Sequence, residues 1–246
     1  MKKHHLHLWL ILILFAISGL MAGFGTRIVQ AALSRRVVQQ APVPVPAITA
    51  SATTPANILA SDTFQRPDQT LWGIASDGQQ WDGDANRLPL FSIVNGTGLI
   101  AGSRGVVQTV LGPVTADAQV SASGFVNHFG DGVNFGVVLR WNDPDNWYKA
   151  YIDGSRLIIL KRVGGVSRQI GQMAFTAQDN ASYTLRFRAV GATLFASVWP
   201  SAALEPEGWL ISLSDTSLFS GRGGVRMVLS ANSVVSVTSF LETAVG

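Results

Sequence analysis

A chain of 246 residues with 47% apolar side chains can fill one large core with flanking segments to spare, and 25 Gly with only 13% charged residues suit turn-rich β structure better than helix. The absence of Cys excludes disulfides, thiolate metal sites and thiol nucleophiles. The net charge of +3 is unevenly placed: Lys2, Lys3, Arg27, Arg35 and Arg36 precede the first acid, Asp62, and the other 13 basic residues face all 15 acids, so residues 59–246 carry −2 and are not a basic nucleic-acid binder.

Residues 1–36 hold a basic tail and an apolar run, Leu8 to Gly25, LWLILILFAISGLMAGFG, with no charge inside it. Its 18 residues make about 27 Å of helix at ~1.5 Å per residue, close to one hydrocarbon thickness. The run predicts a transmembrane signal-anchor that leaves the rest of the chain outside the cell. The alternative is a cleaved signal peptide, with Val29-Gln30-Ala31 as the small-residue context and a secreted product. Arg27, Arg35 and Arg36 oppose Lys2 and Lys3, so charge alone does not fix orientation. Gly19 and Gly23 form GxxxG, a helix-dimer pattern whose blander reading is small residues near a helix end. In 37–58, Pro42, Pro44 and Pro46 alternate with Val and give way to Ala, Ser and Thr, which predicts an extended linker or stalk.

From 59 to 246 short apolar runs alternate with turn signals. The clearest stretch is Gly136 to Arg162, GVVLRWNDPDNWYKAYIDGSRLIILKR. VVLRW, WYKAYI and RLIILKR are β-branched and aromatic, and Asp153-Gly154 supplies hairpin chemistry, so the stretch predicts an antiparallel meander. Further strands are predicted at 60–66, 91–94, 99–101, 106–111, 116–126, 167–171, 183–190, 193–199, 225–229 and 234–241. Regular spacing of this kind predicts a sandwich or barrel. Alternation puts Tyr183, Leu185 and Phe187 on one face, with Arg186 and Arg188 on the other. It likewise sets Lys149 beside Trp147 and Tyr151, and Arg140 on a polar face.

The segments DNWYKAYIDGSRLIILKRVGGVSRQIGQMAF, SYTLRFRAVGATLFASVW and GRGGVRM, with the opening Asp62-Thr-Phe-Gln-Arg66 and closing Ser239-Phe-Leu, resemble the laminin-G-like branch of the concanavalin A-like lectin/glucanase superfamily over residues 59–243. The resemblance implies an all-β jelly-roll sandwich of two antiparallel sheets, with first and last strands adjacent. The superfamily holds carbohydrate-binding modules, adhesion domains and glucanases. The glucanase strand Glu-x-Asp-x-x-Glu is absent, and the chain's glutamates are Glu205, Glu207 and Glu242.

The chemistry is sparse. Glu205 and Glu207 flank Pro206 without a companion motif. His128 is the one histidine beyond the tail, and there is no Gly-x-Ser-x-Gly elbow. Asp77, Asp82, Asp84 and Asn86 in SDGQQWDGDAN offer oxygen donors that suit Ca²⁺, as some laminin-G-like relatives hold at a rim, but Arg87 and Ile93 break the EF-hand pattern. An internally bonded Asx loop is the alternative. Six Trp fall in the domain. Sugars stack flat CH faces on aromatic rings, so Trp147, Tyr148, Tyr151, Arg140 and Arg188 are the expected ligand-binding set on a concave sheet. Asn95-Gly-Thr97 and Asn180-Ala-Ser182 also match glycosylation sequons. The expectation is a membrane-anchored, extracellular, non-catalytic module whose partner is a glycan or cell-surface polymer. The alternatives are a hydrolase or lyase with carboxylates from distant strands, and a structural adhesion domain.

Overall fold

The computed structural model describes residues 57–102 and 104–245. The tail, the apolar run and nearly all of the linker lie outside them. Among the described residues no helix is long and apolar enough to cross a membrane.

The strands in chain order are β1 (Ile58–Asp62), β2 (Gln69–Thr70), β3 (Asp82–Gly83), β4 (Phe91–Val94), β5 (Thr97–Ala101), β6 (Gly105–Thr115), β7 (Ala118–Val126) and β8 (Phe135–Asp143). They continue as β9 (Asn146–Ile152), β10 (Arg156–Val163), β11 (Val166–Ala174), β12 (Ser182–Val190), β13 (Thr193–Pro200), β14 (Ile211–Ser214), β15 (Gly221–Leu229) and β16 (Val234–Ala244). A short 3-10 turn, Asp84–Asn86, follows β3.

These strands build a two-sheet antiparallel β-sandwich. One sheet has the order β14-β13-β12-β7-β16-β5-β4-β2, with β1 also on β16, and the other runs β11-β10-β9-β8-β15-β6-β3. The predicted meander is β8-β9-β10 at the heart of the seven-stranded sheet. The first and last strands are neighbours, with Asp62 opposite Phe240 and the Ala244 N–H donating to the Asn57 carbonyl at 2.8 Å.

Alternation explains the core. Along β7, Ala118, Val120, Ala122 and Val126 point inward, and Tyr183, Leu185, Phe187 and Ala189 do so along β12. They meet Val137, Leu139, Tyr148, Ala150 and Ile152 from the seven-stranded sheet. One end is plugged by aromatics: Trp72 lies edge-on to Phe64, Trp81 and Phe91 at 4.9–5.0 Å. Buried Asp62 ties that plug down, accepting from Trp81 Nε1 at 2.7 Å, Arg66 Nη1 at 2.7 Å and the Phe64 N–H at 2.8 Å.

Several boundaries differ from expectation. The hairpin between β4 and β5 turns in two residues, because Asn95 and Gly96 both take positive φ (49° and 68°), and Thr97 and Gly98 join the strand. Strand β6 runs on through Pro113, because the register against β15 shifts there and the chain bends at Gly112. In β8 the register against β9 shifts after Leu139, and Arg140 takes φ +49°. That bulge reverses the parity expected for Arg140.

Candidate functional site

The outer face of the seven-stranded sheet carries residues that are buried yet separate from the sandwich core: Trp147, Lys149, Ile158, Val138 and Val110. On β9, Trp147, Lys149 and Tyr151 share this face, as alternation predicts. Tyr148 points the other way and hydrogen-bonds Asp215 Oδ1 at 2.6 Å in the interior. Gly136 lies beneath the face. A Cβ there would meet Lys149 Cε at 2.5 Å and Tyr151 Cβ at 2.8 Å, so the missing side chain is what lets Lys149 lie flat.

Arg226 reaches the same face from β15. Its guanidinium stacks over the Trp147 ring at 4.5 Å, and Nη1 donates to Gln108 Oε1. Lys149 Nζ donates to Asn134 Oδ1 at 2.6 Å and lies 4.5 Å above the Tyr151 ring. Lys149 is 3% exposed, and burial followed by the Arg226 charge pushes its ammonium well below the ordinary lysine range. Burial, and next the Arg162 charge, lowers Arg226 to about 10, against a smaller opposing effect of Asp84.

Beside this pair opens a cleft of about 380 Å³, walled by Trp141, Pro144, Gln108, Arg226, Asp84 and Arg87. Trp141 follows the β8 bulge. Arg140 turns inward there and donates to the Ala116, Leu218 and Gly191 carbonyls and to Asp117, which leaves its neighbour to line the cleft. The far wall depends on Gly83. Its φ is +82°, and a Cβ would lie 2.8 Å from the Gln108 carbonyl oxygen, so glycine alone permits β3 to approach β6 this closely. Asp84 is fixed in that wall, accepting from Arg87 Nη2 at 2.6 Å and from the Gln108 N–H at 2.9 Å. A second, more polar cleft of about 450 Å³ shares Gly83 and contains the Asp82–Arg222 ion pair at 2.8 Å. The Gly83 N–H, and then Arg222, hold the Asp82 carboxyl below its usual range.

The expected ligand-binding set is therefore divided. Trp147 and Tyr151 share the outer face, with Trp147 covered by Arg226. Tyr148 faces the core, and Arg140 turns away from the sheet face to hold the Ala116, Leu218 and Gly191 carbonyls. Arg188 is on the opposite sheet, bonded to Gln119 Oε1 and 5.0 Å from the Trp209 ring. Arg226, Trp141 and Gln108 were not in that set. The pattern Arg222-x-Gly224-x-Arg226 in β15 carried a signal for the first, since alternate positions share a face.

The four oxygen-donor residues do not converge. Asp77 accepts from Ser61 and Gln79, Asp82 from Gly83 and Arg222, and Asp84 from Arg87 and Gln108. Asn86 bridges Gly73 and Trp81. Among the described residues no group of three or more His, Asp or Glu is placed to hold a metal ion. The glutamates are also apart from the clefts: Glu205 pairs with Arg186 on the other sheet, and Glu242 is buried between Gly112 and Gly223. Neither cleft is lined by two carboxylates. His128 sits on the surface against Asp179 at 2.6 Å.

No family model and no curated protein matches the sequence. Solved structures do. A carbohydrate-binding module, CBM66 from Bacillus subtilis, aligns with TM-score 0.51 and 14% identity over 76% of this chain and 98% of its own. The GH43 protein BlXynB from Bacillus licheniformis aligns with TM-score 0.54 and 12% identity, over 75% of this chain but 39% of that longer one. A glycoside hydrolase family protein from Mycobacterium thermorestibile gives 0.51 and 13%, covering 75% and 100%. The likeness is one of fold. At such identities no residue role passes from these proteins to this chain.

Proposed function

We propose that the protein is a non-catalytic carbohydrate-binding module of the lectin-like sandwich type. On this reading the segment 8–25 and the stalk 37–58 hold the sandwich outside a membrane. The observation that carries the binding reading is the cleft on the seven-stranded sheet, which is lined both by Trp141 and Pro144 and by the polar groups of Gln108, Arg87 and Arg226. An aromatic wall takes the CH face of a pyranose, while planar polar groups fix its hydroxyls. A single carboxylate, Asp84, lines that cleft, whereas glycoside hydrolysis of the common kind uses two. The fold neighbours, a carbohydrate-binding module among them, agree with a role in carbohydrate chemistry.

The test is a glycan-array screen of the purified full chain and of two variants. Trp141→Ala is expected to weaken binding about tenfold or more, as truncating an aromatic anchor does. Arg188→Ala, on the opposite sheet, is expected to leave it unchanged. Absence of saturable binding to any glycan, with the thermal midpoint intact, would move the assignment to a structural or adhesion domain.

A further inference from the structure

The electrostatics of the cleft narrow its ligand, on the reading that it binds sugar at all. We propose that the sugar it takes carries a carboxylate, a uronate unit, received by Arg226 with Lys149 behind it. Three observations converge on this.

First, neither Arg226 nor Lys149 is in an ion pair among the described residues, and Asp84 acts on Arg226 less than burial and Arg162 do. Arg226 spends Nη1 on the neutral amide of Gln108, and Lys149 spends Nζ on the neutral amide of Asn134. Neither contacts a carboxylate among the described residues. By contrast Arg162, nearby on β10, is matched by Asp145 at 2.9 Å, and Arg222 by Asp82. An anion beside Arg226 would supply the partner that this face lacks.

Second, the cleft is rich in donors. Asp84 is occupied by Arg87 and the Gln108 N–H within the wall. The remaining N–H groups of Arg226 form no hydrogen bond among the described residues, and the Trp141 indole N–H is buried without a hydrogen-bond partner. A neutral sugar hydroxyl needs an acceptor as well as a donor to be satisfied, whereas a carboxylate only accepts. Its two oxygens also match the guanidinium fork.

Third, the geometry suits a ring with one charged arm. Trp141 and Pro144 give the cleft an apolar part, Arg226 lines the same cleft, and the Trp147 ring holds its guanidinium at 4.5 Å. Burial and the Arg226 charge both disfavour the Lys149 ammonium, and a carboxylate at Arg226 would favour it.

The experiment is calorimetric titration of the full chain with galacturonate, glucuronate and mannuronate trimers, with the corresponding neutral hexose trimers, and with a sulfated neutral trimer. At least one uronate trimer is expected to bind about tenfold tighter than its neutral counterpart at low salt, with the margin shrinking at high salt. Arg226→Gln should erase the margin between acid and neutral trimers. If that variant does not fold, Arg226→Lys, which keeps the charge and loses the fork, should narrow the margin instead. Equal affinity for acid and neutral sugars overturns the uronate assignment and leaves the carbohydrate reading standing. Tighter binding of the sulfated trimer replaces the carboxylate with a sulfate ester. Failure of every trimer overturns the uronate assignment, and the glycan array then decides separately whether any sugar binds.

Discussion

Single residues set the behaviour of this sandwich with pH. Glu242 is 0% exposed, and neither carboxylate oxygen completes a hydrogen bond. Burial raises it to about 8, against smaller opposing effects of Arg222 and the Gly223 N–H. Gly112 and Gly223 make the room, since a Cβ at either would lie within 2.8 Å of the carboxyl. Between the ordinary glutamate value and 8 the folded state keeps a proton that the unfolded chain has released. Stability is therefore fully present below pH ~4.5, falls as pH rises toward 8, and then levels, with a total loss of order 3–5 kcal/mol. Glu242→Gln should flatten that slope. Its thermal midpoint is expected to exceed that of the parent at pH 8.5 and to differ little at pH 4.5. Parallel curves for the two proteins across that range would show that the carboxyl is solvated or paired in solution.

Elements place the site, and here sequence and structure part in an instructive way. The meander was legible because its three strands are adjacent in sequence and punctuated by Asp-Gly and Asn-Asp-Pro turns. The face shared by Trp147, Lys149 and Tyr151 was legible for the same reason, since strand parity is local. Tyr148 falls on the wrong side for a ligand by that same parity. Arg140 was misplaced because a positive-φ bulge shifts the parity of β8 at that point. The bulge is fixed by contacts far along the chain: Gly221 approaches so closely that a Cβ would lie 2.4 Å from the Arg140 carbonyl carbon. Arg188 was grouped with Trp147 because local alternation does not say which sheet a strand joins, and β12 pairs with β7 and β13. The cleft joins β3 to β6, β8 and β15, a juxtaposition that no single window of sequence displays. Its weakest joint is the two-residue β3. Gly83→Ala is expected to cost about 1–3 kcal/mol by strain at positive φ and collision with Gln108. Because Asp84 and Arg87 follow directly, glycan affinity should fall more than the urea midpoint of the folded protein does. An unchanged affinity would show that the β3 wall takes no part in binding.

At the scale of the whole molecule, many stabilising pairings join distant parts of the chain, with Asp82 and Arg222 separated by 140 positions. The oxygen atoms that suited Ca²⁺ in the sequence belong to this long-range lattice. Asp77 ties β1 to its neighbouring loop, Asp82 ties β3 to β15, and Asp84 ties the 3-10 turn to β6. Chelator is therefore expected to leave both the thermal midpoint and glycan binding unchanged. A rise of several degrees on adding Ca²⁺, measured by calorimetry, would show that these carboxylates rearrange around a cation. Folds built from such non-local antiparallel pairs close slowly, on the millisecond-to-second scale, because chain entropy is lost before contacts form.

The pairing of β1 with β16 brings Asn57 and Ala244 into direct hydrogen-bond contact. The sandwich thus enters and leaves the chain through one narrow gate. A host protein could carry the whole unit spliced into a surface loop without its own ends being forced apart. The same adjacency lets a short bridge rejoin the two ends while the chain is cut in an outlying turn such as the one that carries the exposed Leu204, which would give a rewired polypeptide with the same core.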